Sequence, residues 1–236
     1  HPDLEKAVAT HDQIAKDLAV ELIVHKNADA IAQGTNPYSL GTRACCALLK
    51  TEALLQVLKR YGIDAAIGGA RRDEEKSRAK ERIFSFRDQH GQWDPKNQRP
   101  ELWQLYNTRI HPGENMRVFP LSNWTEFDVW QYIRQEEIPI VPLYFAQERW
   151  VLNKGKSLIP LEDDDPRRQD ADAEKLWTRF RTLGCSPCTG AVASRAQSLD
   201  AIIEELFSSR ISERSTRVID HDSDASMESK KREGYF

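Results

Sequence analysis

No apolar run in the chain approaches the roughly 20 residues of a membrane span, which excludes a spanning helix. The opening residues His1-Pro2-Asp3-Leu4-Glu5-Lys6 have neither the basic head nor the apolar stretch of a signal peptide. The expectation is a soluble, cytoplasmic protein with no membrane contact. Charge of one sign is also missing: 34 Lys and Arg face 37 Asp and Glu, a net of -3. No global field therefore draws the chain to nucleic acid, and an anion site must be a local cluster. The chain has no G-x-x-x-x-G-K-[ST] loop of its own for GTP, and no internal repeat or low-complexity tract. At 236 residues, 39% of them hydrophobic, it is long enough to bury a real core.

Cysteine is scarce, and its placement is informative. All four cysteines fall in two tight pairs, Cys45-Cys46 and Cys185-Ser186-Pro187-Cys188. A tetrahedral metal or cluster needs four soft thiolates, and these pairs supply that set with nothing left over. The C-x-x-C half alone also serves zinc ribbons and redox dithiols. Together the pairs point to a shared four-thiolate site, iron-sulfur before zinc. Buried free thiols and disulfides stand as the bland alternatives, the latter requiring an oxidising compartment. The histidines at 11, 25, 90, 111 and 221 show no ligand spacing.

Periodicity outlines the elements. Pro2 with Leu4, Val8, Ala15 and Leu18 predicts a first helix, and residues 20–24 a strand. Gly34, Asn36, Pro37, Ser39 and Gly41 predict a loop ending where Cys45-Cys46 open a helix that carries Leu48, Leu55 and Leu58 and stops at Gly62. Residues 63–67 read as a buried strand with Gly68-Gly69 at its carboxyl end, and residues 116–121 as another strand. Asn123 with Glu126 predicts a capping box for a helix bearing Phe127, Val129, Trp130 and Ile133. Residues 151–172, with Gly155, Pro160, the acidic run at 162–165 and Pro166, read as a solvated loop or insertion. Ser198 caps a last helix through Leu199, Ile202, Ile203, Leu206 and Phe207, and a charged tail runs from 212 to 236. Strands alternating with helices predict an α/β fold with a parallel sheet flanked by helices. The expected division is a nucleotide-binding domain over 1–150 and a C-terminal insertion, helix and tail over 151–236.

The glycines lead directly into Ala70-Arg71-Arg72-Asp73-Glu74-Glu75-Lys76-Ser77-Arg78-Ala79-Lys80-Glu81-Arg82. Gly68 and Gly69 let a ligand approach the backbone, and Arg71, Arg72, Lys76, Arg78 and Lys80 form a set of cations suited to a polyphosphate and a small oxyanion. A solvated helix whose opposite charges pair along its surface is the alternative. The position after a strand, where ligands sit in parallel α/β sheets, favours a site.

This run, with Phe84-Ser85-Phe86-Arg87-Asp88, Trp93-Asp94-Pro95-Lys96-Asn97-Gln98-Arg99, Arg117-Val118-Phe119-Pro120-Leu121-Ser122-Asn123-Trp124-Thr125-Glu126 and the ending Lys230-Lys231-Arg232-Glu233-Gly234-Tyr235-Phe236, closely resembles the small subunit of the heterodimeric bacterial sulfate adenylyltransferases. The resemblance implies a PP-loop, adenine nucleotide alpha hydrolase-like fold related to the phosphosulfate reductases. It implies formation of adenosine 5'-phosphosulfate and pyrophosphate from ATP, with Mg2+, and sulfate. Arg71, Arg72 and Asp73 would be catalytic, Gly68, Gly69, Lys76, Arg78 and Lys80 would bind substrate, and a GTPase large subunit would be the partner. The family's Ser-Gly-Gly-Lys-Asp-Ser type phosphate loop is absent, so the first βαβ unit is expected to be missing and with it the main triphosphate cradle.

The cysteines and Gly184 to Thr189 instead resemble the iron-sulfur adenosine phosphosulfate reductases. That likeness implies a [4Fe-4S] cluster on Cys45, Cys46, Cys185 and Cys188, with Lys50 beside it. A reductase of that kind needs a further nucleophilic cysteine on its C-terminal tail, and the chain has none to spare. A phosphosulfate reductase and a non-catalytic scaffold subunit remain as competing functions.

Overall fold

The computed structural model describes residues 2–74, 78–155, 157–185 and 188–208. They form two compact units, one of residues 25–125 and the other of residues 2–24 with 126–208. The change of unit falls at Thr125 and Glu126, upstream of the boundary at 150 expected from the sequence.

The unit of residues 25–125 opens on short helix α2 (Ala28–Ala32), capped by the Asn27 side chain; the first helix of the chain, α1 (Pro2–Asp17), lies in the other unit. Helix α3 (Pro37–Cys46) starts on Asn36, whose side chain accepts the N–H groups of Tyr38 and Ser39. The loop predicted here is thus mostly helix, and the cysteines close it rather than open it. The glycine at 41 bends it, at φ 76. A π-helical turn, Ala47–Glu52, leads into α4 (Ala53–Tyr61), and Gly62 ends it in the left-handed conformation, as predicted.

Three strands follow: β1 (Ala65–Ile67), β2 (Phe84–Arg87) and β3 (Asn115–Val118), in the order β1-β3-β2. β1 runs parallel to β3 and β2 antiparallel to it, so this sheet is mixed rather than parallel. β1 is an edge strand and Ile67 is 73% exposed, which corrects the expectation of a buried strand. Register puts Ser85 opposite Arg117 and Arg87 opposite Asn115. Cross-strand partners share a face, so one face carries Ser85, Arg87, Asn115 and Arg117. The other carries Phe84, Phe86, Met116 and Val118. The Tyr106 ring lies 5.1 Å from that of Phe84, and the Arg99 guanidinium 3.9 Å from the Phe86 ring.

In the other unit, residues 20–24 form no strand. Val20 and Val24 stay exposed, with no ladder to pair with. Helix α5 (Glu126–Gln135) begins two residues later than a cap at Asn123 predicts. Segment 151–172 is not a solvated loop. It belongs to an antiparallel sheet of β4 (Gln147–Lys154), β5 (Ser157–Pro160), β6 (Ala173–Arg179) and β7 (Val192–Ala193), ordered β5-β4-β6-β7. A bridge between Leu158 and Ala191 brings its two edges together. Gly155, taken from sequence as a loop marker, sits at φ 67 in the β4–β5 turn, while Val151 and Leu152 are buried. Asp165 caps the turn Pro166–Gln169 and pairs with Arg167. Helix α6 (Leu199–Ser208) is capped by Ser198, whose Oγ accepts the Ala201 N–H at 3.2 Å, as predicted. Ile202 and Ile203 pack with Trp130 and Ala196, joined by Phe127, Ile133 and Leu206, in the core of this unit.

Candidate active site

The site is built where β1 and β3 end. Gly68 donates its N–H to the Val118 carbonyl at 2.9 Å, extending the parallel ladder by one bond. A side chain at Gly69 would meet nothing within 4 Å, so the backbone there is open to a ligand. Arg72 is tied to the loop after β3 twice, through its N–H to the Ser122 carbonyl (3.0 Å) and its Nε to Ser122 Oγ (3.2 Å). Asp73 and Lys80 are exposed, and Lys76 lies outside the described residues.

Arg71 and Arg78, by contrast, are each 8% exposed, which removes them from a solvated-helix reading. Glu74 sits between them, its Oε1 accepting the Arg71 N–H at 3.1 Å and its Oε2 lying 3.8 Å from Arg78 Nε. Glu81 carries the network on to β2, with Oε1 2.8 Å from Arg87 Nη2. Arg87 Nη1 also donates to Ser85 Oγ at 2.6 Å, and Arg117 Nη1 to Asn115 Oδ1 at 2.5 Å. The charged face of the mixed sheet is therefore buried, an inversion of the usual pattern. Burial lowers the Arg87 pKa against the pull of Glu81, and Arg78 adds to the lowering. Burial and then the charge of Arg87 bring Arg117 down to about 10. The Arg117 guanidinium stays charged at neutral pH. A cluster of this kind can hold an oxyanion and neutralise charge as it develops on phosphorus or sulfur.

Glu81, Ser85, Arg87, Asn115 and Arg117 were not picked out as site residues from the sequence. The signal was present in the period-two alternation Phe84-Ser85-Phe86-Arg87, which places apolar and polar residues on opposite faces of a strand.

Cys45 and Cys46 are buried at the end of α3, and Lys50 lies within the π-helical turn that follows. Such turns recur at functional sites. In the other unit, Cys188 is buried and its N–H donates to the Cys185 carbonyl at 2.8 Å, which also accepts the Thr189 hydroxyl at 3.1 Å. Among the described residues, no three His, Cys, Asp or Glu side chains gather to hold a metal ion. The β4–β6 region carries a cleft of about 740 Å³ lined by Trp150, Leu161, Glu162, Arg168, Phe180 and Cys185 among others. The Glu162 pKa is raised, by burial first and then by Asp164, Asp163 and Asp165.

Residues 3–191 match the model of the phosphoadenosine phosphosulfate reductase domain. The chain belongs to this family. Within the phosphoadenosine phosphosulfate reductase domain family, it is similar to proteins named sulfate adenylyltransferase subunit 2. It is 59% identical to that of Caulobacter vibrioides over 229 residues, covering 97% of this chain and 74% of the relative. The Phocaeicola vulgatus protein is 60% identical over 226 residues (95% and 75%). The Azotobacter vinelandii protein is 56% identical over 230 residues (95% and 75%). Among the described residues, no helix of this family member is long and apolar enough to cross a membrane.

Proposed function

We propose that the chain is the substrate-handling subunit of a sulfate adenylyltransferase, joining sulfate to the adenylyl group of ATP. The observation that carries this reading is the 55–60% identity, over nearly the whole chain, to proteins named sulfate adenylyltransferase subunit 2. The buried arginine network beside the open glycine backbone supplies suitable chemistry. In the proposed step a sulfate oxygen attacks the α-phosphorus of ATP, brought as its Mg2+ complex. The new P–O bond forms as the bond to the bridging oxygen breaks, and pyrophosphate leaves. Both reactants and the leaving group are anions, so positioning and neutralisation are what a protein must supply. Arg71, Arg72 and Arg78 serve these roles, with Lys76 and Lys80 adding charge and Asp73 close by in sequence.

Adenosine 5'-phosphosulfate lies uphill of ATP and sulfate, so the reading includes a GTPase large subunit as partner, in keeping with the "subunit 2" of the relatives' names. The [4Fe-4S] cluster on Cys45, Cys46, Cys185 and Cys188, near Lys50, stays in the proposal on the cysteine pattern alone.

The family name favours one rival, a phosphosulfate reductase. Product identity separates the two. The complete reading frame, co-purified with its GTP-binding partner, should yield adenosine 5'-phosphosulfate from ATP, sulfate and GTP. Release of sulfite from added adenosine 5'-phosphosulfate and a thiol reductant, without the forward reaction, would establish the reductase. Turnover that persists when this chain is left out would reduce it to a scaffold.

A further inference from the structure

Glu81 is only 1% exposed, and the arginine network turns on it. Its Oε1 accepts Arg87 Nη2 at 2.8 Å and the Ser85 hydroxyl at 3.3 Å, while its Oε2 lies 3.6 Å from Arg78 Nη1. The two arginines are held differently. Arg87 is hydrogen-bonded to this carboxylate through Nη2 and to Ser85 Oγ through Nη1. Arg78 is held at longer range between Glu81 and Glu74, and among the described residues its buried Nε and Nη1 make no hydrogen bond. A buried guanidinium with unused donors is costly unless something accepts from it. Two carboxylates beyond hydrogen-bonding distance flank it while leaving those donors available. A tetrahedral oxyanion carries the acceptors that fit them.

We infer that Glu81 is a positioning residue for oxyanion recognition, holding the guanidinium of Arg78 in place with its donors unspent for sulfate. This rests on the sulfate-handling reading above. Glu81 touches no substrate and acts through Arg78. Arg87 and Ser85 fix the carboxylate from the strand side, so the spacing between β2 and segment 78–81 sets where the Arg78 donors lie.

The test is a double-mutant cycle read by thermal shift, titrating the purified chain with sodium sulfate against sodium chloride at matched ionic strength. The wild type should show a saturable, sulfate-specific stabilisation. Glu81→Gln and Arg78→Gln should each weaken apparent sulfate affinity about tenfold or more. The double variant should be no worse than Arg78→Gln alone, because residues acting as one unit are non-additive. Glu81→Asp keeps the charge but withdraws the carboxylate, and should fall between wild type and Glu81→Gln. Should Glu81→Gln lose cooperative melting, the cycle is run with Glu81→Asp in its place. Wild-type affinity in the Glu81 variants, or losses that multiply in the double variant, would overturn the inference alone. Absence of any sulfate-specific shift in the wild type would overturn it together with the reading on which it rests.

Discussion

Arg117 shows what a buried guanidinium does to the pH dependence of the fold. It is fully buried on the charged face of the mixed sheet, with its pKa drawn down to about 10 by burial and by Arg87. In the unfolded chain it returns to the ordinary guanidinium range. Between those two values the unfolded state binds more protons, so this group makes stability rise as pH increases through about 10 and upward. Below that pH both states are protonated and it contributes no slope. Denaturant midpoints of wild type and Arg117→Met from pH 9 to 11 check this. The wild type should gain relative to the variant as pH rises, and a falling difference contradicts the assignment.

Helix α5 and strand β6 are joined through a buried ion pair at their ends. Arg181, just past β6, donates Nε to Glu126 Oε1 at 3.2 Å and Nη2 to the other carboxylate oxygen, and both residues are buried. Removing one partner leaves a charge in the interior. Glu126→Ala should therefore lose about 3 to 5 kcal/mol in a urea titration. Removing both charges should recover much of the loss, so Glu126→Leu/Arg181→Met is expected to be more stable than Glu126→Ala. Equal stability of single variant and wild type would contradict this.

Elements of this unit also show what was legible in the sequence. Helices α5 and α6 were readable because their apolar residues recur at helical spacing and Ser198 caps the second. Strands β4 and β5 were not. The signals used for a loop, Gly155 and Pro160, turned out to mark a tight turn and a strand end, and the acidic residues found arginine partners nearby. Residues 20–24 failed in the other direction, since an apolar run has no strand character without a neighbour to pair with. In the candidate site, Arg71 and Arg78 were singled out by type and position. Their burial is a property of the folded unit that local pattern does not report.

At the scale of the whole molecule, two properties proposed here extend beyond one unit, the metal cofactor and the reaction. If the cysteine pattern denotes an iron-sulfur protein, anaerobic purification should give a brown chromophore with iron and acid-labile sulfide in about fourfold ratio to protein. Cys46→Ser should abolish it. Stoichiometric zinc without iron, after iron-replete expression, would replace the cluster with a zinc site.

The reaction itself is tested most directly by isotope exchange between pyrophosphate and ATP, catalysed by the complete protein with its partner. Exchange should require sulfate, and Arg72→Ala should slow it by about 30- to 1000-fold, the usual effect of losing about 2 to 4 kcal/mol of charge-assisted stabilisation in the transition state. Exchange that proceeds without sulfate, or that is indifferent to Arg72, would contradict the assignment of this chain to sulfate activation.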